Sequence, residues 1–397
     1  MEPIGHHKEL FWPSEPDAYG SKARRGGLYR AFIPDHIASR DFLLSGEAST
    51  ALHDATKALA ALAEEPLTLA KLGAVAQNLL RSESVASSRI EGVAISHKRL
   101  ARAAYQSAGR RRGDNRAAEV LGNVEAMKRA IEFGEKAEPF AVGDILDIHR
   151  TLLRHTDDRE IAGVIRKKQN WIGGNDYNPV GATYVPPPPE YLDDLLEDLC
   201  RFINRSDMHP VAQAAIAHAQ FENIHPFADG NGRTGRAVIY TTLRRSGEIR
   251  SYIPPISLVL GREPNAYVNG FGAYSQGNVS AWCTTFSDAT ARAARAARQL
   301  ADDIEHRQEV WLERLGKPRK DATVRLLVEV LPEQPVIDVP TGQRLSGKSH
   351  VAVGNAISQL EAAGVLVKLN ERRWGRVWEC GEVLELIDDF EKSVSTP

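Results

Sequence analysis

The chain has 397 residues, 42% hydrophobic and 26% charged, the balance of an ordinary globular protein with room for two or three domains. Its formal net charge of -2 supplies no global field for nucleic acid or membrane, so such a partner would need a local patch. Three cysteines, Cys200, Cys283 and Cys380, lie far apart without a Cys-x-x-Cys pair, which argues against a disulfide framework or a structural zinc site.

The start, MEPIGHHKELFWPSEPD, is charged and Pro-broken with no apolar signal segment, and no apolar run approaches the ~18 residues that span a bilayer. The expectation is a cytoplasmic protein without a membrane partner. Residues 1 to about 45 mix Pro, Gly, Arg and aromatics without period and read as an irregular arm, in which His6-His7 is solvated. Ala51, Ala55, Leu59 and Leu62 recur at helical spacing within 48–65, and a second helix is expected over 67–81. The composition stays helical to Phe133 apart from a Gly-Arg-rich break at 109–113.

Inside that region, Ser84-Val-Ala-Ser-Ser-Arg-Ile-Glu-Gly92 reads as a helix C-terminus that Gly92 stops, with Ser87 and Glu91 four residues apart. A carboxylate there faces the negative end of the helix dipole, so Glu91 calls for a cationic partner. Two helical stretches follow within 117–153, where His149 lies among Ile145, Ile148, Leu152 and Leu153 and reads as a packed histidine. Val164-Ile-Arg and Thr183-Tyr-Val-Pro alternate like two short strands around a Gly/Asn/Pro turn, predicting a hairpin. Residues 190–204 are amphipathic, and Pro210 opens a helix through Glu222 on which His218 faces inward.

That helix delivers His225-Pro-Phe-Ala-Asp-Gly-Asn-Gly-Arg-Thr-Gly-Arg236. Gly230, Gly232 and Gly235 permit close backbone approach, so amides around Asn231 can address an anion at the start of the next helix, expected from Gly232 to Arg245. Arg233 and Arg236 share a helix face and suit phosphate oxygens. Asp229 beside such a nest is a natural Mg²⁺ ligand, because Mg²⁺ binds through one or two carboxylates plus substrate phosphates. His225 is the candidate general base, its ordinary pKa lying near ~6.5. Residues 250–310 are again helical, with Tyr267, Tyr274 and Trp282 read as core.

The stretch 225–236 matches His-x-Phe-x-Asp/Glu-Gly-Asn-Gly-Arg-x-x-Arg, and so the chain resembles the Fic family. The resemblance implies transfer of AMP from ATP, with Mg²⁺, to a Ser, Thr or Tyr hydroxyl of a target protein. His225 would be catalytic, Asp229 would hold the metal, and Gly230, Asn231, Gly232, Arg233 and Arg236 would bind the nucleotide. It also implies that Ser87-x-x-x-Glu91-Gly92 is an inhibitory motif, Glu91 reaching Arg236 against the ATP γ-phosphate, and that the 163–189 hairpin is a flap that registers the target by strand addition. Removal of AMP, transfer of another phosphate-containing group, or nucleotide sensing by a DNA-binding regulator remain open alternatives.

Gly342-Gln-Arg-Leu-Ser-Gly-Lys-Ser349 also satisfies the Walker A pattern, but the 48 residues after Ser349 (397 − 349) cannot build a parallel sheet with crossover helices. Residues 320–391 read instead as a winged helix-turn-helix: helices over 322–331, 339–345 and 349–363, then strands at 364–368 and 376–378 around a basic tip at Arg372 and Arg373. The expected architecture is mainly α: a helical region with the inhibitory motif over 1–109, a Fic core with a β-hairpin flap over 110–310, and a winged helix over 320–391. Through that last domain DNA or another protein is a candidate partner, and a homodimer is left open.

Overall fold

A computed structural model describes residues 2–14, 24, 26–63, 69–108, 115–250, 252–370 and 375–394. The Gly-Arg-rich break at 109–113 and the wing-tip residues Arg372 and Arg373 lie outside the described residues. In chain order the elements are β1 (Gly5–Trp12), β2 (Gly27–Pro34), α1 (Gly46–Ala63), α2 (Leu69–Ile90), α3 (His97–Ala108), α4 (Asn115–Glu135), α5 (Val142–Leu153), α6 (Leu192–Ile203), α7 (Pro210–Ile224), α8 (Asn231–Arg245), α9 (Ile256–Leu260), α10 (Pro264–Ser275), α11 (Val279–Arg314), α12 (Thr323–Val330), β3 (Val336–Ile337), α13 (Val339–Ser346), α14 (His350–Ala362), β4 (Val367–Lys368), β5 (Trp378–Glu379) and α15 (Gly381–Ser393). The mainly helical architecture is therefore as expected.

The chain divides into two compact units. The first comprises 1–56, 125–248 and 263–288. Its centre is α7, whose residues from Val211 to Phe221 are all buried, packed against α8, which is buried from Arg233 to Leu243. Such an all-round buried helix pair is held by interior hydrogen bonds as well as apolar contact. The Trp282 indole donates to the Ala215 carbonyl (2.7 Å), Tyr274 to Gln220 (2.9 Å), and Thr241 on α8 to the Ala130 carbonyl (2.9 Å). Tyr267, Tyr274 and Trp282 are buried in this core, as read from their spacing.

The N-terminal arm is corrected. Residues 5–12 and 27–34 are not irregular but pair as antiparallel strands, with His7 opposite Phe32 and Phe11 opposite Leu28. The Phe32 N–H donates to the Val185 carbonyl (2.8 Å), so the pairing continues onto the segment before α6. The second correction concerns 163–189, where the antiparallel pairing is a single bridge between Ile172 and Tyr184. Val164 to Arg166 take no part in it. Gly173 and Gly174, with φ of 75° and 77°, turn the chain immediately after Ile172, closer to Thr183 than the predicted strand allowed.

The second unit comprises 57–124, 249–262 and 289–397. Helix α2 runs on to Ile90 and stops where Gly92 takes φ 82°, with the Gly92 N–H on the Arg89 carbonyl (3.0 Å), the predicted stop. Ser87 is fully buried and Glu91 exposed. Buried Asn123 of α4 holds the end of α2, donating to the Ser84 carbonyl (3.0 Å) and the Ser88 hydroxyl (3.1 Å). At the C-terminal end, α12, α13 and α14 pack over an antiparallel sheet in the order β3-β5-β4, around Leu327, Ile337, Val353, Ile357 and Trp378. The Walker-like stretch is a helix end and a helix start: Gly347 caps α13 at φ 67°, and the Ser349 hydroxyl accepts the Ala352 N–H to begin α14. With β3 antiparallel to its neighbour, this is not a P-loop.

Candidate active site

The site is the turn between α7 and α8. His225 caps α7 in the left-handed conformation (φ 48°, ψ 58°), its N–H on the Phe221 carbonyl at 2.9 Å. A non-glycine residue there is strained by roughly 1–3 kcal/mol, and the surroundings must hold it. They do so through the loop's carbonyls. The His225 carbonyl accepts Arg166 Nε (2.9 Å) and the Pro226 carbonyl accepts the Arg166 N–H (3.0 Å). The Phe227 carbonyl accepts both Asn170 Nδ2 (3.0 Å) and Asn231 Nδ2 (2.8 Å), and the Asp229 carbonyl accepts His149 Nε2 (2.9 Å).

Asn231 also accepts the Phe227 N–H at 2.8 Å, so its side chain staples the loop and its main-chain amide remains at the helix start. Gly230 precedes it at φ 77°, where a Cβ would come within 3.2 Å of His149 Nε2. The first turn of α8 thus leaves amide donors facing the loop, the ordinary anion-binding end of a helix.

The same helix carries two buried arginines. Arg236 is fully buried, and Arg233, almost as buried, donates to the Asp229 carboxylate at 3.0 Å. Asp229 itself is half exposed. The His225 imidazole is mostly enclosed, with Nδ1 4.0 Å from the Glu222 carboxylate. Among the described residues no group of three or more His, Cys, Asp or Glu could hold a metal by itself. A half-exposed single carboxylate fits only a hard ion that brings phosphate and water ligands with it.

The two other histidines near the turn are structural, as their apolar neighbours suggested. His149 is buried, accepts the Gly163 N–H on Nδ1 (2.9 Å) and donates from Nε2 to Asp229, which makes it neutral; burial pushes its pKa down to about 4. His218 is bonded to the Tyr267 hydroxyl at 2.7 Å, and burial, with the Arg236 charge beside it, lowers it to about 3. The structure places His225, Asp229, Gly230, Asn231, Gly232, Arg233 and Arg236, the residues singled out in the sequence, in this turn and the start of α8. Arg166 and Asn170 were not among them, sitting in a stretch that reads as a surface run of Arg, Lys and Asn; the carbonyls that tie them to the turn, of His225 and Phe227, lie some sixty positions away.

Family models described as "Fic/DOC family" and "Fic/DOC family N-terminal" match residues 139–243 and 49–132 respectively. Over these two stretches the chain is similar to the Fic/DOC family. Over 191 residues it is 31% identical to the protein adenylyltransferase Fic of Drosophila ananassae, covering 47% of this chain and 35% of that protein. Over 175 residues it is 33% identical to the protein of the same name from Drosophila yakuba, covering 43% and 32%. The chain thus spans about a third of the length of these curated relatives. Its fold is shared with a Fic family protein from Desulfovibrio desulfuricans G20, at 20% identity and a TM-score of 0.52 over 85% of this chain and 97% of that one. A Fic domain containing signaling protein from Bacteroides thetaiotaomicron VPI-5482 also shares it, at 20% identity and a TM-score of 0.51 over 65% and 97%.

Proposed function

We propose that the protein is a protein adenylyltransferase that moves AMP from ATP to a Ser, Thr or Tyr hydroxyl of a target protein. The observation that carries this reading is the turn itself: a braced His225 beside first-turn amides of α8 and the buried guanidiniums of Arg233 and Arg236. The names of the Drosophila relatives agree with it. His225 takes the proton of the target hydroxyl, whose oxygen attacks the α-phosphorus; the bond to the β-phosphate oxygen breaks and pyrophosphate leaves. The amides of Gly230 to Gly232 and the two arginines hold the polyphosphate charge. Asp229 would hold Mg²⁺, which would supply charge neutralisation between phosphates.

Glu91, exposed just beyond the α2 C-terminus in the Ser87-x-x-x-Glu91-Gly92 motif, acts as the inhibitory residue, opposing seating of the ATP γ-phosphate. The segment 163–189 is the flap. The division into a helical region at 1–109, a core at 110–310 and a winged helix at 320–391 is part of the same reading, supported for the last by α12 to α14 and the small sheet. The outer face of α14 leaves Val351, Asn355, Ser358 and Gln359 open to solvent for a DNA or protein contact.

Incubating the wild type, Glu91→Gly and His225→Ala with α-labelled ATP and Mg²⁺, alone and in lysate, tests this. Glu91→Gly should label protein more strongly than the wild type, and His225→Ala should not label at all. Label absent from Glu91→Gly, or retained in His225→Ala, defeats the reading.

A further inference from the structure

Arg166 is a buried cation with a peculiar set of partners. Its side chain is only 6% exposed, and all its bonds go to main-chain carbonyls: Nε to His225 (2.9 Å), Nη2 to Pro187 (2.6 Å) and Nη1 to Lys168 (3.1 Å). Its own N–H reaches the Pro226 carbonyl (3.0 Å). Among the described residues no carboxylate forms an ion pair with it. Burying a guanidinium without a counter-ion is costly, and an apolar side chain would fill the same space at less cost. Burial lowers its pKa to about 10, so it stays charged at neutral pH.

What the charge gains is geometric. A guanidinium is a flat fork of five fixed donors, able to hold several acceptors in one plane at set directions. Here the acceptors are Lys168 and Pro187, which stand on either side of the Ile172–Tyr184 bridge, and His225, the residue in the strained left-handed conformation. Neighbouring Gln169 and Asn170 strengthen the tie, Gln169 donating to Pro186 (2.8 Å) and Asn170 to Phe227 (3.0 Å). By contrast, the later part of the turn is held without Arg166: His149 and Asn231 secure Asp229 and Phe227.

We propose that Arg166 is a positioning residue that locks the roots of the 163–189 segment to the backbone of His225, so that a hydroxyl presented along that segment meets the imidazole in one fixed geometry. The inference rests on the reading of His225 as base and of 163–189 as flap. Its signature is a split. Losing Arg166 should impair delivery of AMP to a protein hydroxyl while leaving ATP binding, made by the α8 amides and arginines, in place. Water, which needs no flap, should gain as the acceptor relative to protein.

The test uses the full chain carrying Glu91→Gly, with Arg166→Lys and Arg166→Met added singly, α-labelled ATP, Mg²⁺ and a lysate as the source of target. Measured together are the ATP dissociation constant, labelled AMP on protein, and AMP released to water. Arg166→Met should lower protein labelling at least tenfold and raise the ratio of free to protein-bound AMP, with ATP affinity within twofold; Arg166→Lys should fall between. The proposal is overturned if Arg166→Met labels as well as its parent, or if ATP affinity and both products fall in parallel, the result of general loosening. Should Arg166→Met not fold, Arg166→Lys decides on the same ratio. Absence of labelling by the Glu91→Gly parent would instead defeat the adenylyltransferase reading itself.

Discussion

His149 lies flat against Phe227, ring centroids 3.7 Å apart and planes within 4° of parallel, while its two ring nitrogens join Gly163 to Asp229. One neutral imidazole thus packs and hydrogen-bonds the turn of the candidate site. Because the bonds fix the neutral form, protonation cannot be accommodated without breaking one of them.

That arrangement predicts acid sensitivity. His149 and His218 titrate near 6.5 when unfolded but only at about 4 and about 3 when folded, so the unfolded chain binds more protons between those limits. Stability therefore falls as pH drops below ~6.5, by on the order of 2 kcal/mol per histidine at pH 5. Urea denaturation of the wild type at pH 7 and pH 5 should show the drop, and His149→Gln should show a smaller one. Equal slopes in the two proteins would contradict it.

Gly235 of α8 lies close against α7. A Cβ at that position would stand 2.5 Å from Glu222 Oε1, 2.9 Å from Phe221 and 3.2 Å from His218. Gly235→Ala should cost about 1–3 kcal/mol by overpacking and reduce AMP transfer through displacement of Glu222 from His225. Gly143, in the first turn of α5, is the control, because a Cβ added there would meet nothing within 4 Å. Gly143→Ala should be neutral or stabilising by up to about 1 kcal/mol. Thermal melts of the two variants report the contrast.

Asn123 grips the last turn of α2 just short of Glu91, through Ser84 and Ser88. Asn123→Ala leaves a buried carbonyl and hydroxyl without that donor, at about 1–3 kcal/mol, and should let the end of α2 fray. The expected result is several-fold more protein labelling than wild type, with no further gain when Glu91→Gly is also present. An additive gain in the double variant would show that Asn123 does not act through Glu91.

Asp229→Asn keeps the shape of the side chain but removes the charge that both Arg233 and a metal would share. It should raise the Mg²⁺ concentration needed for half-maximal labelling at least tenfold, with melting temperature unchanged. A titration identical to that of the wild type would remove Asp229 from the metal site.

The geometry of the turn was legible because it depends on neighbours in sequence: the three glycines, Asn231 and the two arginines meet simply by starting a helix. His149 and His218 were legible for the same reason, each flanked by apolar residues at helical spacing. Arg166 and Asn123 were not, since a polar side chain bound to distant carbonyls looks the same in sequence as a solvated one. The pairing of β1 with β2 was hidden differently. Within the two strands, Gly5–Trp12 and Gly27–Pro34, only Ala31 to Pro34 are buried, so no apolar alternation marks them, and what fixes them is pairing with each other and with Val185.

That pairing bears on how much of the chain the proposed site depends on. The family match starts at residue 49, yet Phe32 donates to Val185 and Trp12 packs edge-on against Trp171, 5.7 Å between ring centroids. A chain trimmed to the matched region would keep every residue of the signature and lose the strand and the indole that back the 163–189 segment. That fragment would also lack Tyr267, Tyr274 and Trp282, which pack and hydrogen-bond α7, so the boundary of similarity is not the boundary of the folded unit.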